Sequence, residues 1–322
     1  MHSAREPRMP RLAAFAALMG AAPSMAAEHL SFLNPQGPIA TVARDHFIAV
    51  TAILLIFVAL PVFIGTLWFA RRYRYGAGKG RYTPKWMFYK PIEYFTWAGP
   101  IVIVLLLSTM VWRSATALDP YAPIPSSQAP LRVQVVGYDW KWLFIYPEQG
   151  IASVDWLALP AGRPVTLELT SATVMQSFFI PALASQIYAM GGMVTQLNLQ
   201  ADQPGRFLGE NTMYNGDGFH QQKFPAVAMS PADFDAWVRT VHDGAAPLGA
   251  AALAQLVRPG TEAQLRAALP VAAPPGGPVV FSGVAPHFFN DLVMATMHGP
   301  VHATIPAHAP MAMASTPAAA TP

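Results

Sequence analysis

The chain has 322 residues, of which 53% are hydrophobic and only 11% are charged, and it contains no cysteine. This composition is too apolar for an ordinary soluble enzyme and indicates a membrane protein without disulfide bonds. The formal net charge of +3 does not indicate a nucleic-acid partner, because the basic residues cluster near the N-terminus and between residues 71 and 90.

The first 27 residues have the pattern of a secretory signal peptide. Arg5, Arg8 and Arg11 precede an apolar run that extends from Leu12 to about Ala22. A short core helix is the alternative, but the run is too short to cross a bilayer, which requires about 20 residues. We therefore expect a signal peptide at 1–27, followed by a periplasmic N-terminal segment at 28–46.

Two uncharged stretches, 47–70 and 94–112, are predicted to be transmembrane helices. The loop between them, 71–93, contains seven Lys and Arg residues. Such a loop stays in the cytoplasm by the positive-inside rule, so both flanking regions are expected outside. A Pro-rich linker follows at 113–130.

From residue 131 the hydrophobic pattern changes to that of β-strands. Strands are predicted at Leu131–Val135, Asp139–Tyr146, Val165–Thr170, Thr195–Leu199 and Ala226–Met229. Short strands at this spacing favour a Greek-key sandwich, which we assign to 131–241.

A helix is predicted to close the sandwich, with Ser230 as its N-cap, Pro231 in the first turn and Asp233 in the capping-box position. The region 242–298 has a weaker helical pattern and is rich in aromatic residues near its end. The tail, 299–322, is Ala- and Pro-rich and is expected to be disordered.

Three segments resemble subunit II of quinol oxidases of the cytochrome bo type, a branch of the haem-copper terminal oxidases. They are DWKWLFIYPEQGIASVDW at 139–156, SFFIPALASQIYAMGGM at 177–193 and GDGFHQQKFPAVA at 216–228. The resemblance implies a two-helix transmembrane hairpin followed by an all-β cupredoxin-like Greek-key sandwich, with a short, mainly helical C-terminal region. It also implies a multi-pass protein of the bacterial inner (plasma) membrane, with both terminal regions in the periplasm.

Copper-bearing relatives in this superfamily hold a dinuclear copper centre in the loop that corresponds to 207–227. The residues at the ligand positions here are Gln176, Asn211, Asn215, Phe219 and Gln222. Amides bind transition metals weakly compared with thiolate and imidazole, so these positions are interpreted as a vestigial site without metal. His220, one residue past a ligand position, is interpreted as a solvated loop residue.

Glu93 is the acid nearest the cytoplasmic end of the second span. In the family that it resembles, a glutamate at this position lies at the mouth of a proton channel into subunit I, which makes Glu93 a proton-entry candidate. The alternative is an interfacial acid that pairs with Lys90 or with a lipid headgroup.

Other conspicuous side chains are assigned structural roles. Trp140, Trp142, Phe144 and Tyr146 are predicted to form one alternating strand that packs in the core. The scattered methionines Met190, Met193, Met213 and Met229 are interpreted as core filling. The histidines of the tail, His298, His302 and His308, are assigned no role.

The resemblance implies a non-catalytic subunit of a proton-pumping ubiquinol oxidase that reduces oxygen to water. The chain would stabilise subunit I, which is expected to contain the haems and the copper, and would contact lipid and further small membrane subunits. No cofactor is expected in this chain. The alternatives are a copper-bearing cytochrome c oxidase subunit II, disfavoured by the missing ligands, and a membrane-tethered cupredoxin-like binding module.

Overall fold

The computed structural model describes residues 33–75, 84–85, 87–269 and 277–297. The expected signal peptide, the tail and the three tail histidines lie outside these ranges.

Two long helices precede the sandwich. Helix α1 spans Pro38–Arg72, with a π-helical turn at Leu55–Ala59, and helix α2 spans Lys90–Ala117. Both are long and apolar enough to cross a membrane, and their apolar windows are unburied by the rest of the chain. The two predicted spans lie within them. Helix α1 begins well before residue 47 because Gly37 is extended and Pro38 has the backbone geometry of a first helical turn.

Eleven strands in the described ranges form two packed sheets. In one the order is β11-β3-β2-β1-β5-β8, and in the other it is β4-β10-β9-β6-β7. The strands are β1 (Leu131–Tyr138), β2 (Lys141–Tyr146), β3 (Ile151–Val154), β4 (Leu157–Pro160), β5 (Val165–Ser171), β6 (Gln176–Phe179), β7 (Ile187–Ala189), β8 (Thr195–Leu199), β9 (Gly205–Asn211), β10 (Lys223–Met229) and β11 (Val279–Ser282). Strand β1 is parallel to β5 and β10 to β4, while the other pairs are antiparallel. The sequence anticipated this cupredoxin-like sandwich.

An aromatic cluster fills the space between the two sheets. Trp142, Phe144 and Tyr146 alternate along β2 and are fully buried there. The ring of Phe178 lies 5.2 Å from those of both Trp142 and Phe224, edge-on to the first and stacked on the second. The prediction for Trp140 was wrong: it lies in the two-residue turn between β1 and β2, with a φ of 67°.

The C-terminal region packs against the sandwich in two places. Helix α3 (Pro231–Gly244) packs on the main cluster through Phe234 and Val241. Helices α4 (Ala250–Leu256), α5 (Glu262–Ala268) and α6 (Phe288–Thr296) cover the outer face of the six-stranded sheet, which β11 extends at one edge. Ser230 caps α3 as predicted, accepting a hydrogen bond from the backbone N–H of Asp233. A second apolar cluster joins Leu143 and Ile145 of β2 to Phe281 and Leu292. Both faces of this sheet are therefore buried.

We expect Leu292→Ala to lower the free energy of unfolding of the fragment 120–297 by about 2–5 kcal/mol, because it leaves a cavity in the second cluster. Leu292 is fully buried, whereas Met294 on the same helix is 63% exposed. The matched control Met294→Ala should change stability by at most about 0.5 kcal/mol. Urea unfolding measures both, and equal losses would contradict the packing of α6.

Candidate functional site

The loop between β9 and β10 closes one end of the sandwich. Asn211 ends β9, Asn215 lies in the loop, and Gln222 follows a 3-10 turn at Phe219–Gln221. Gln176 begins β6, which pairs with β9. The structure thus brings together four of the five positions that were interpreted as a vestigial copper site.

The side chain of Gln222 is the centre of a buried amide network. Its Oε1 accepts hydrogen bonds from Asn211 Nδ2 at 2.9 Å and from Asn215 Nδ2 at 2.8 Å. Its Nε2 donates to Gln176 Oε1 at 2.6 Å. Gln176 and Gln222 are fully buried and Asn211 nearly so. Hydrogen bonds among buried amides offset the cost of removing them from water.

Backbone groups hold the outer members of the network. Gln176 Nε2 donates to the carbonyl of Tyr138 at 3.0 Å. Asn211 Oδ1 accepts from the N–H groups of Ser177 and Met213, at 2.9 and 3.0 Å. A Cβ at Gly137 would lie 2.8 Å from Gln176 Oε1, so glycine there leaves room for the amide. The network consequently ties strands β1, β6 and β9 to the loop.

Phe219 and His220 lie outside the network. Phe219 is half-buried, and its ring packs edge-on against Tyr214 at 5.8 Å between centroids. His220 is exposed, with Nε2 3.0 Å from Gln221 Nε2. This exposure fits the expectation of a solvated loop residue.

Trp140 packs against the same loop from the β1–β2 turn. Its Nε1 donates to the carbonyl of Asn215 at 3.2 Å. Its ring covers Gly218 so closely that a Cβ there would lie 2.1 Å from ring atoms. The left-handed backbone of Trp140, uncommon for a large residue, turns the ring towards the loop.

Sequence reasoning missed Lys141, the first residue of β2. Lys141 is 1% exposed, and its Nζ donates to the carbonyls of Arg258 at 2.7 Å and Gly260 at 3.0 Å. Burial lowers the pKa of Lys141 to about 8, although two nearby aspartates oppose this shift. Two adjacent residues therefore bind different parts of the domain: Trp140 binds the loop, and Lys141 binds the C-terminal region.

Asp155 is a second buried charge that the sequence did not reveal. It has a φ of 47°, and its Oδ1 accepts from the N–H of Trp142 at 2.6 Å. Burial raises the pKa of Asp155 well above its ordinary value, an effect that the Trp142 hydrogen bond and Lys141 only partly oppose. The carboxyl is therefore shifted towards its neutral form.

The donor set at the ligand positions does not fit copper. It consists of amides bonded to one another and to the backbone, and a dinuclear centre requires thiolates that a chain without cysteine cannot supply. Within the described ranges, no group of three or more His, Cys, Asp or Glu side chains could hold a metal ion. Asn215 Oδ1 is buried without a hydrogen-bond partner there, but one amide oxygen does not make a metal site.

Glu93 is separate from the network, in the first turn of α2. Its carboxylate accepts a hydrogen bond from Trp97 Nε1 at 3.0 Å, one helical turn further on. It forms no ion pair with Lys90.

The methionines are not uniformly core residues. Met229 packs against the main cluster as expected. The prediction for Met193 was wrong: it is 54% exposed, because it follows the turn at Gly191 and Gly192 instead of lying within a strand.

Comparison with known proteins gives consistent matches. Residues 150–228 match the family described as cytochrome c oxidase subunit II, periplasmic domain. Ubiquinol oxidase subunit 2 of Acetobacter aceti is 40% identical over 275 residues, covering 84% of this chain and 84% of that one. Cytochrome bo(3) ubiquinol oxidase subunit 2 of Pseudomonas aeruginosa is 39% identical, covering 84% and 77% respectively. Quinol oxidase subunit 2 of Bacillus cereus is 32% identical, covering 72% and 79%.

We expect Gln222→Ala to lower the free energy of unfolding by about 2–4 kcal/mol, because it leaves the amides of Asn211, Asn215 and Gln176 without their shared partner. The adjacent Gln221 is exposed, and among the described residues its side chain contacts only His220 by a polar contact. Gln221→Ala is therefore the control, with a change of at most about 0.5 kcal/mol. Urea unfolding of the fragment 120–297 measures both; equal effects would show that the network contributes nothing.

Asp155→Asn is expected to stabilise the sandwich at pH 7. The amide keeps an acceptor for the Trp142 N–H and tolerates the left-handed backbone, but has no charge to bury. Because the folded-state pKa of Asp155 is raised, its favourable contribution is complete below the unfolded value of 3.8 and is lost as pH rises through the folded pKa. Parent and variant should therefore have equal stability below that value.

The stability of both proteins at pH 7 and below 3.8, measured by urea unfolding, checks this expectation. Asp217→Asn, at an exposed loop position, is the control. A variant that is no more stable than the parent at pH 7 would contradict it.

Proposed function

The chain belongs to the family of ubiquinol oxidase subunit 2, and from this we propose that it is a structural subunit that holds no metal of its own. It is a subunit of a quinol oxidase, an oxidoreductase complex of the haem-copper kind. The complex would take its electrons from ubiquinol, and its haems and copper would lie in subunit I. The sandwich would stabilise that subunit, and α1 and α2 would contact it, lipid and smaller membrane subunits.

The amide network carries this proposal. Gln176, Asn211, Asn215 and Gln222 lie at the positions of copper ligands in the copper-bearing relatives, and their side chains bond to one another. The network therefore replaces a set of metal bonds by hydrogen bonds that hold the same loop closed. Electron transfer through this domain would have no acceptor, which disfavours a role like that of a copper-bearing subunit II. Membership of a family whose named relatives are oxidase subunits disfavours the other alternative, a membrane-tethered binding module without an oxidase partner.

The copper content of the sandwich tests the proposal. The tested fragment should span residues 120–297, because a fragment that ends near residue 243 would expose the second apolar cluster. After expression with copper and dialysis we expect a colourless protein without stoichiometric metal, since amides compete poorly for copper. A copper protein loaded in parallel controls the procedure, and one tightly held copper per fragment would contradict the proposal.

The proposed topology places the loop between α1 and α2 in the cytoplasm and the sandwich in the periplasm of the inner membrane. Seven basic residues between 71 and 90 support this orientation. The segment before α1 and the linker after α2 both bind the sandwich, which supports placing these two helix ends on its side of the membrane.

Glu93 is proposed to contribute to proton entry from the cytoplasmic side. An acid at the membrane boundary is costly unless water or a partner solvates it, and Trp97 supplies one hydrogen bond. Glu93→Gln keeps an acceptor for Trp97 and removes the charge. We expect assembly to be retained and oxygen consumption to fall about two- to tenfold, or about 0.4–1.4 kcal/mol in barrier height.

Oxygen consumption by the purified complex, normalised to its haem content, measures this effect. Glu148→Gln, at an exposed turn of the sandwich, is the matched control and should leave turnover unchanged. Equal turnover of the Glu93 variant and the parent would favour a purely interfacial role.

A further inference from the structure

The segment before α1 is bound to the sandwich by backbone hydrogen bonds. The N–H of Gln36 donates to the carbonyl of Ala182 at 2.7 Å, and its carbonyl accepts from the N–H of Asp202 at 2.9 Å. Gln36 thus bridges two loops of the sandwich. A Cβ at Gly37 would lie 2.2 Å from the carbonyl oxygen of Gln200, so the approach requires glycine. Ala40, in the first turn of α1, is 1% exposed.

The start of the linker after α2 is bound to the sandwich by one buried residue, Asn198. Asn198 of β8 donates from its backbone N–H to the carbonyl of Pro120 at 3.0 Å. Its Nδ2 donates to the carbonyls of Pro120 and Ala122, both at 3.2 Å. Its Oδ1 accepts from Thr166 Oγ1 at 2.7 Å, which fixes the amide orientation. Asn198 is 4% exposed, so these hydrogen bonds are shielded from water.

The two attachments lie beside each other. Asn198 binds the linker, and Gln200 and Asp202, within the next four residues, contact Gly37 and Gln36. Residues 198 and 202 are at most about 14 Å apart along an extended chain. The outer ends of α1 and α2 therefore meet the sandwich at one site, the end of β8.

We propose that this two-point clamp sets the orientation of the sandwich above the membrane, before the chain meets any other subunit. A Pro-rich linker from 118 to 130 attached at one point could reach about 40 Å and would let the domain swing. Fastening the linker at Pro120 shortens its free part, and the Gln36 attachment adds a second fixed point. The domain is then presented to its partners in one orientation, which lowers the entropy lost on assembly.

The inference rests on the proposed topology only in placing both helix ends outside; it does not involve copper or turnover. The experiment measures only the orientation of the sandwich relative to α1. A negative result would therefore contradict this inference without bearing on the proposed function. The full-length chain, free of native cysteines, permits two spin labels at Val62→Cys on α1 and Glu148→Cys on the sandwich. Pulsed electron spin resonance in nanodiscs, without other subunits, then measures the distribution of distances between them.

The parent should give one narrow distribution. Gly37→Ala combined with Asn198→Ala should broaden it at least about twofold, towards the range that a free linker allows. The matched controls are Gln196→Ala, a half-buried amide of β8 without side-chain hydrogen bonds in the described structure, and Gly249→Ala, where a Cβ meets no atom within 4 Å. Both should leave the distribution unchanged.

Thermal unfolding shows whether the variants keep the fold. If Asn198→Ala unfolds the sandwich, the distance distribution of Gly37→Ala alone tests the proposal, since Gly37 lies outside the sandwich. A distribution that stays narrow when the clamp residues are changed in a folded chain would overturn the proposal. So would a parent distribution that is already as broad as that of the variants.

Discussion

Three separate segments of the chain meet at the buried side chain of Gln222, and each of them contributes a side-chain amide that is buried or partly buried. One comes from the start of β6, one from the end of β9 and one from the loop itself. An unpaired buried amide costs about 1–3 kcal/mol, so the members of such a network are retained or lost together. The closed shape of this end of the sandwich follows from that mutual dependence.

Two adjacent residues, Trp140 in the β1–β2 turn and Lys141 at the start of β2, connect this loop to the rest of the domain. Trp140 packs on the loop that contains Asn215, and Lys141 donates to carbonyls at the junction of α4 and α5. Two adjacent side chains thus join the loop on one side to the C-terminal region on the other. A structural change in the loop or in the C-terminal region is therefore transmitted to the other through these two adjacent residues.

The sequence was sufficient for the architecture and singled out Gln222 with the three amides that bond to it, but it did not reveal features created by contacts distant in the chain. Lys141 begins β2 on the same face as Leu143 and Ile145, and nothing in the neighbouring sequence shows that the C-terminal region covers a lysine there. Strand β9 was not predicted because Gly209 interrupts the strand-like pattern of its sequence. That glycine is required by the ring of Phe224, which would lie 2.2 Å from a Cβ there. Strands β3, β4, β6, β7 and β11 were also missed, since each is only three or four residues long. The left-handed residue between β3 and β4 is Asp155, not glycine.

The pairing of β11 with β3 has a consequence for the order in which the domain is made. Val279 and Val154 are partners in the sheet but are far apart in the chain, so the sheet is incomplete until the last part of the domain has been synthesised. Until then the outer face of β2, with Leu143 and Ile145, is an unpaired apolar surface. Long-range pairing of this kind is slow and leaves intermediates prone to aggregation. The nascent domain is thus most prone to aggregation in the interval between the synthesis of β10 and that of α6.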